Sequence, residues 1–554
     1  MSKKPDETQS FFKKWAPLFV MGLAIIIIVL DTTLLNVSLG NIVRDLRTDI
    51  QSLQWVITAY ALTLAALTIT GGRFGDLFGR KKMFMLGAII FAVGSFVASI
   101  SHNVTTLIIG ESIVEGIGAA LMMPATSSLL VSTYRGRERA LALGVWGGMA
   151  AAGSAIGPVV GGYLTSHYSW RWGFRINIFV AIILLLGSVV IHEARDAEER
   201  PTIDWWGILL SAGGLVAIVY ALIESATYGW WKAKETLSFA GHQLSQGGLS
   251  VVPIALAAGF GLLALFFVWE QRMVAKGRTP LVSMKLFANK QFTTGALLMA
   301  IMSVGMVGLI FGMPVFYQGV KGLDALHTGY GLLPMSVGLF IMAPLGGYLA
   351  KHFKPKRIVQ VGFIINVLAL LYLRQSIAVT ASVSSLIAPL LLYGIGMGLV
   401  FSQVTNITLS AVSPSEAGEA SGVNNTLRQV GQSLGTALIG TILVASIGSG
   451  LVDGVNNSSV ISEQHRPALA QAVSAQSSNI EFGIPLQGTS LSPDEAKELK
   501  RIANESTVKA NKQSLLFTAA FTIGALALAS QLPSVGLSGL EKDESLATKS
   551  TAAH

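Results

Sequence analysis

Long apolar runs nearly free of charged residues recur along this chain, and they constrain its fold more than any other feature. A helix that crosses the ~30 Å hydrocarbon core of a bilayer needs about 20 predominantly apolar residues. Fourteen runs meet this requirement, at 16–38, 53–71, 83–100, 105–133, 139–164, 173–192, 206–226, 250–269, 293–317, 327–349, 358–378, 383–411, 418–447 and 514–534. We therefore predict an all-α integral membrane protein with fourteen transmembrane (TM) helices.

The composition excludes several other classes of protein. Only 12% of the 554 residues are charged, against about 25% in soluble domains. The chain has no cysteine, which excludes disulfide frameworks, zinc–cysteine sites and thiol catalysis. The net charge of +9 comes from short basic clusters between apolar runs, whereas nucleic-acid binding needs basic residues gathered on one face. We expect no nucleic-acid partner and no metal site.

The distribution of Lys and Arg predicts the orientation in the membrane. With the N-terminus inside, 24 of the 39 basic residues fall in inner segments and 12 in outer ones. Six of those 12 lie in the long segment 448–513, and charges in long loops have little effect on orientation. We therefore expect both termini to be cytoplasmic.

A faint internal repeat suggests how the runs are grouped. Gly71-Gly72 closes the second run and Gly346-Gly347 the tenth, each before a basic inner turn, and repeated halves are common in secondary transporters. The predicted parts are a cytoplasmic N-terminus (1–15), an N-terminal six-helix bundle (16–192), a linker with two inserted TM helices (193–292, helices 206–226 and 250–269), a C-terminal six-helix bundle (293–534) and a cytoplasmic tail (535–554).

The C-terminal bundle is predicted to contain an external loop at 448–513, since this segment is rich in Ser, Asn and Gln and lacks a long apolar run. Within it, Ser492-Pro493-Asp494-Glu495 is typical of a helix start. We expect a short surface helix there, leading into the last span.

Acidic residues interrupt two of the apolar runs. Asp31 follows Ile25 to Leu30, and Glu111 and Glu115 lie in the fourth run, four residues apart and hence on one helix face. A carboxylate at membrane depth costs ~2.5 kcal/mol or more, so it indicates a functional site. Counted from the outer ends of their runs, the three acids lie at comparable depth. An interfacial position for Asp31 remains the alternative.

Two glycine-rich stretches are candidate motifs. In 71–82, Gly72 and Gly79 allow a tight turn, and Asp76 and Arg80 can pair with charges or helix ends across an inner interface. In 153–162, small residues spaced by four allow close helix contact, and Pro158 removes a backbone donor and permits a bend. That motif comprises Gly153, Gly157, Pro158, Gly161 and Gly162. A packing face without a role in coupling remains open for it.

These motifs resemble those of the major facilitator superfamily, specifically the fourteen-span drug:proton antiporter family of the EmrB/QacA type. The stretch 71–82 is similar to the superfamily's loop between spans two and three, and 153–162 is similar to the family's antiporter motif. The resemblance implies the MFS fold, with two six-helix bundles plus two inserted helices. It also implies that Gly72, Asp76, Gly79 and Arg80 gate the inner side.

Span four departs from the family pattern. Ser112 stands where the family usually has an arginine, and Glu115 stands at its glutamine position. If spans one and four line the family's central cavity, Asp31, Glu111 and Glu115 would couple protons to substrate and favour cations. Further cavity candidates, with helix packing as the alternative, are Trp146, Gln403, Asn406, Asn424, Asn425 and Arg428.

The resemblance therefore implies a proton-driven exporter of hydrophobic, cationic drugs or toxic compounds, which confers antibiotic resistance from the cytoplasmic membrane of a bacterium. We expect a monomer that needs no cofactor and is driven by the proton gradient. An accessory periplasmic partner is left open. Export of a lipid or a specific metabolite is one alternative. A non-transporting membrane sensor or scaffold is another.

An enzyme is not expected. Residues 431–435 fit the G-x-S-x-G pattern, but that motif needs a strand–turn–helix elbow, and these residues lie in an apolar helical run. His192-Glu193 lacks the second His of a zinc helix. No phosphate-binding loop is present that would support ATP-driven transport.

Overall fold

The computed structural model describes residues 11–48, 50–193, 204–234, 237–239, 242–244, 246–278, 280–413, 416–475 and 491–533. Apart from a short antiparallel hairpin of Leu237–Phe239 and His242–Leu244, its regular structure is helical. The α-helices are α1 Phe11–Leu46, α2 Ile50–Phe78, α3 Arg80–Ser99, α4 Val104–Leu107, α5 Gly116–Thr133, α6 Gly136–His167, α7 Arg171–Gly187, α8 Trp205–Tyr228, α9 Val251–Ala275, α10 Met284–Ala288, α11 Lys290–Val315, α12 Ala325–Leu349, α13 Pro355–Ser376, α14 Ile387–Leu409, α15 Ala417–Asn457, α16 Arg466–Ala475 and α17 Pro493–Ala529.

Eleven helices in the described residues are long and apolar enough to cross a membrane. The other three predicted runs fall in α2, α6 and α15, which are helices of 29, 32 and 41 residues. These three helices take part in the contacts between the two halves of the molecule. The count of fourteen spans stays a prediction.

The helices pack as two groups that meet along their glycine-rich members. In the first group α1 packs on α6, and α3 on α5 and α7. In the second, α11 packs on α15 and α17, and α14 packs on α12 and α13. The groups meet where α6 contacts α12 and α14 and where α15 contacts α2 and α5. The inserted helices α8 and α9 pack on each other, and α8 also contacts α2 and α15.

The segment predicted as an external loop is largely helical where it is described. Helix α15 continues to Asn457, ten residues past the predicted run. Helix α17 begins at Pro493, where a helix start was predicted, but it is one helix of 37 residues. Its length of ~55 Å exceeds the hydrocarbon core, so it extends beyond the membrane instead of forming a separate surface helix.

A small apolar cluster explains why these helix ends stay ordered. Leu451 and Val455 of α15 pack with Leu469 of α16 and with Leu499 and Ile502 of α17. Burial of these side chains stabilises helix that no lipid surrounds. Residues 476–490 of the predicted loop lie outside the described residues.

Two other domain predictions are affected by the described range. Helix α1 begins at Phe11, inside the segment 1–15 predicted as a cytoplasmic N-terminus. The rest of that segment, 1–10, and the predicted tail 535–554 lie outside the described residues.

The glycines of 153–162 hold α6 against α1. A Cβ added at Gly153 would lie 2.9 Å from the Ile26 carbonyl oxygen, and one at Gly161 would lie 2.8 Å from Leu34 Cγ. Gly162 faces the other half, with an added Cβ 3.2 Å from the Leu326 nitrogen. The motif is thus a close contact between helices, and α6 continues through Pro158 to His167.

We predict that Gly157→Ala destabilises the protein. The new Cβ would lie 2.9 Å from Thr33 Cβ and 3.2 Å from the Leu30 oxygen, so α1 and α6 must separate, at about 1–3 kcal/mol for overpacking. Thermal unfolding of the purified protein in detergent measures the effect. Gly261→Ala is the matched control, because its Cβ would meet no atom within 4 Å. Equal melting temperatures for the two variants would contradict the prediction.

Candidate functional site

The acids of the first and fourth runs come together through one amide inside the first helix group. Asn177 Nδ2 on α7 donates to Asp31 Oδ1 on α1 at 2.7 Å and to Glu115 Oε1 at 2.9 Å. Asp31, Glu111 and Glu115 are each at most 1% exposed. Asp31 is therefore buried inside the protein.

A π-helical segment, Ile108–Glu115, carries both glutamates between α4 and α5. Its inner face buries Glu111 and Glu115, while Ile109 and Ile113 are exposed on the opposite side. π-Helical turns are rare and frequently occur at functional sites. The four-residue spacing predicted the shared face, but not this helix type.

Glycine-to-glycine contact accommodates the π-helical segment against α3. A Cβ added at Gly94 would lie 2.6 Å from the Gly110 oxygen, and one at Gly110 would lie 2.6 Å from the Ala98 nitrogen. The two backbones thus approach as closely as small residues allow. This contact places the acids between α1, α3 and α7.

The acid cluster, meaning Asp31, Glu111 and Glu115, contains no compensating positive charge. No ion pair in the described part of the chain includes any of the three. Asp31 Oδ2, Glu111 Oε2 and Glu115 Oε2 are buried without a hydrogen-bond partner. Uncompensated buried charges cost several kcal/mol each, so the cluster needs protons or a cation to balance it.

The structure gives partners to two residues near the cluster for which the sequence analysis predicted none. Asn177 was missed, although an asparagine within the apolar helix α7 is an available signal. Ser112, which replaces the family arginine, donates to the Val56 carbonyl oxygen on α2 at 2.7 Å. Its side chain is therefore bonded to the backbone of a neighbouring helix.

The candidate inner gate joins the two halves through Asp76. Asp76 Oδ1 accepts from Arg80 Nε at 3.1 Å and Nη2 at 2.9 Å. Its other oxygen, Oδ2, accepts from the backbone nitrogen of Glu419 at 2.9 Å. Glu419 lies in the first turn of α15, where free N–H groups and the helix dipole favour a negative charge. Asp76 thus bonds the N-terminal half to a helix end of the C-terminal half.

Two glycines shape this gate. Gly79 has a φ of +109°, which favours glycine, and an added Cβ would lie 2.7 Å from Glu193 Oε2. Glu193 in turn accepts from the backbone nitrogens of Lys81 and Lys82. Gly72 is buried in α2, but the close approach is at Gly71, whose Cβ would lie 3.0 Å from the Ala120 carbonyl carbon.

The cavity candidates lie on α6, α14 and α15, the helices that face the opposite half. Four of them, Trp146, Gln403, Asn406 and Asn424, have a buried polar atom without a hydrogen-bond partner. Such atoms could bond a substrate. Asn425 instead donates to Ser421 Oγ at 3.3 Å, which is a packing contact within α15.

Arg428 crosses the interface between the halves. Its Nη2 lies 3.3 Å from Met123 Sδ on α5, and sulfur is a weak acceptor. No ion pair in the described residues includes Arg428. A positive charge thus lies between the halves, apart from the acid cluster within the first group.

The G-x-S-x-G stretch is a helix-packing feature. It lies inside α15, where a Cβ added at Gly431 would lie 2.9 Å from Ala300 Cα and one at Gly435 would lie 2.8 Å from the Val304 oxygen. No strand–turn–helix elbow exists here. These glycines bring α15 close to α11.

Similar proteins are exporters and resistance proteins. The chain is 29% identical to the tetracenomycin C resistance and export protein of Streptomyces glaucescens, covering 79% of this chain and 77% of that protein. It is 30% identical to the puromycin resistance protein pur8 of Streptomyces alboniger, with 80% and 84% covered. It is also 30% identical to the multidrug efflux pump LfrA of Mycolicibacterium smegmatis, with 80% and 83% covered.

The fold and a family profile agree with these relatives. The solved proton:xylose symporter XylE matches 96% of this chain and 98% of its own with a TM-score of 0.58, and at 11% identity it supports the fold alone. The profile of the Major Facilitator Superfamily matches residues 21–436. The protein, a multi-pass transporter by its apolar helices and its drug-resistance relatives, therefore belongs to the Major Facilitator Superfamily.

Proposed function

We propose that this protein is a proton-coupled antiporter that exports hydrophobic, cationic drugs or toxic compounds. The observation that carries the proposal is the bonding of Asp31 and Glu115 to one amide, Asn177, in a cluster that no ion pair of the described residues includes. The names of relatives support drug export: they are an antibiotic export protein, a resistance protein and a multidrug efflux pump.

The acid cluster would carry the protons. Three uncompensated carboxylates are unfavourable at membrane depth, so protons balance their charge while the site is closed. Exposure to the cytoplasm would let a cationic substrate displace a proton, and exposure to the outside would return one. Exchange of one proton for one monovalent cation is driven by the pH gradient alone, at ~1.4 kcal/mol per pH unit. Release of two protons would add ~2.3 kcal/mol per 100 mV of potential.

The finer architecture is part of the same proposal. We include α2, α6 and α15 among fourteen spans of the EmrB/QacA type, in the cytoplasmic membrane of a bacterium with both termini inside. The excess of Lys and Arg in the inner segments supports this orientation. The protein would act as a monomer, and a periplasmic partner is not needed for the mechanism.

Replacing one carboxyl of the cluster should change how transport is coupled to protons. We expect Asp31→Asn to reduce pH-driven efflux at least tenfold, because the amide cannot release a proton. If both acids release protons, Glu115→Gln should abolish the dependence on membrane potential while pH-driven exchange is retained. Efflux from vesicles, with pH gradient and potential imposed separately, measures both effects.

Glu463→Gln is the control for loss of a carboxylate, since the Glu463 side chain is 90% exposed. Full pH-driven efflux in Asp31→Asn would remove Asp31 from the mechanism. An absence of efflux in the unmodified protein under every gradient would instead favour a sensor or scaffold.

The inner gate should depend on the negative charge of Asp76. We expect Asp76→Asn to slow turnover several-fold with little change in substrate affinity, because it weakens the bonds to Arg80 and to the Glu419 amide without touching the cluster. Efflux rates and equilibrium binding on the same preparation separate the two effects. Asp453→Asn, at an exposed position, is the control, and unchanged turnover in Asp76→Asn would contradict the gate.

The charge of the substrate can be tested with dyes of matched shape. We expect a cationic dye to be exported faster than its neutral and anionic counterparts, because the cluster attracts positive charge. Arg428, with its charge at the interface of the halves, would favour the opposite order. Export restricted to the anionic dye would overturn the cationic part of the proposal, and export restricted to a lipid probe would favour a lipid exporter.

A further inference from the structure

The inserted helices α8 and α9 have no role in the mechanism above, yet they lie next to the inner gate. Helix α8 contacts both α2 and α15, which are the two helices joined by Asp76. The chain leaves α9 at Ala275 and reaches α10 at Met284. The end of this connection, residues 280–283, is called the strap below.

The strap is held by two carboxylates from different parts of the protein. The backbone nitrogen of Val282 donates to Glu270 Oε2 on α9 at 3.4 Å. The next nitrogen, that of Ser283, donates to Glu419 Oε1 on α15. The consecutive amides of Val282 and Ser283 thus connect α9 of the insertion to the first turn of α15.

Apolar burial fixes the strap at the interface of the halves. Leu281 and Val282 are each 1% exposed and belong to one cluster with Leu129 of α5 and Ala420 of α15. Displacing the strap would therefore expose apolar side chains as well as break two hydrogen bonds.

Glu419 is the residue at which three parts of the molecule meet. Its backbone nitrogen donates to Asp76 of the N-terminal half, and its side chain accepts from the strap. The side-chain bond restrains the first turn of α15, the turn whose amide reaches Asp76. The strap thus restrains the gate contact from the C-terminal side.

Glu270 is itself positioned by the insertion. It is fully buried. Its Oε1 lies near Asp204, since a Cβ added at Gly207 would lie 2.7 Å from Glu270 Oε1 and 2.9 Å from Asp204 Cγ. Asp204 caps α8 through the Gly207 nitrogen at 3.0 Å and accepts from Trp269 Nε1 on α9 at 2.9 Å. The acceptor for the strap is therefore part of the contact between the two inserted helices.

We infer that the inserted helix pair is a structural part of the inner gate, with Glu270 as a positioning residue that holds the strap so that Glu419 meets Asp76. The inference rests on the proposed function only in assuming that the gate opens and closes. Without the strap bonds, the inner side should open more readily.

Two pairs of substitutions isolate these bonds. Ser283→Pro removes the amide donated to Glu419, and the φ of Ser283, −70°, is close to that of proline. Ser283→Ala keeps the amide and is its matched control. Glu270→Met removes the acceptor of the strap, whereas Glu270→Gln keeps an acceptor oxygen.

The readout is the distance between two spin labels across the inner side. Measuring this distance does not require transport. The chain has no cysteine, so Lys82→Cys and Lys354→Cys introduce a single pair of spin labels at exposed positions. We expect Ser283→Pro and Glu270→Met to raise the ratio of open to closed populations about tenfold, as for loss of a buried hydrogen bond. Ser283→Ala and Glu270→Gln should match the parent, and Gln271→Met, exposed on α9, controls for a new methionine.

The outcomes separate this inference from the proposed function. A distance distribution in Ser283→Pro equal to that of Ser283→Ala would overturn the role of the strap. If Glu270→Met fails to fold, the Ser283 pair decides. A shift in the inner distance in a protein that shows no proton-driven efflux would support the inference and overturn the proposed function. Normal proton-driven efflux with no shift in the inner distance would support the proposed function and overturn the inference.

Discussion

Close contact of helix backbones through glycine is the constraint on which the rest of this structure depends. Lipid chains are as apolar as leucine, so helices in a membrane associate through packing and hydrogen bonds. Gly153 and Gly161 bring α6 onto α1, and Gly94 and Gly110 bring α3 onto the π-helical segment. Asp31 and Glu115 share Asn177 within this closely packed group.

The buried carboxylates fall into two kinds, and the difference bears on function. One kind accepts a hydrogen bond from a backbone amide: Asp76 from that of Glu419, Glu270 from that of Val282, and Asp204 from that of Gly207. These carboxylates thus hold helix ends and the strap by hydrogen bonds. In the acid cluster, Asp31 and Glu115 share one side-chain amide, and each of the three acids has a buried oxygen without a hydrogen-bond partner. In the proposed mechanism, protons balance this charge.

The contacts between the halves combine polar bonds with close backbone packing. Asp76 bonds the N-terminal end of α15, and the hydroxyls of Ser127 and Ser421 bond each other. These are a few polar bonds across a face of small residues, since a Cβ added at Gly422 would lie 3.1 Å from Ile69 Cα. The second group has an apolar core of its own, whereas the core of the first group continues across the interface to Phe292, Leu409 and Ala420.

The sequence by itself determined the helical class, most of the helix positions and the comparable depth of Asp31, Glu111 and Glu115, because apolar runs and residue spacing are local properties. It also indicated the glycines of the two motifs and the helix start at Pro493. It did not determine the single long helix α17 or the π-helical segment, since both depend on what packs beside them. The choice of Asn177 as the shared donor, the bond from Asp76 to Glu419 and the strap were decided only by the tertiary structure. In the first two of these contacts, the bonded residues lie 62 to 343 positions apart in the sequence. Such contacts depend on which helices touch, and no local pattern encodes that.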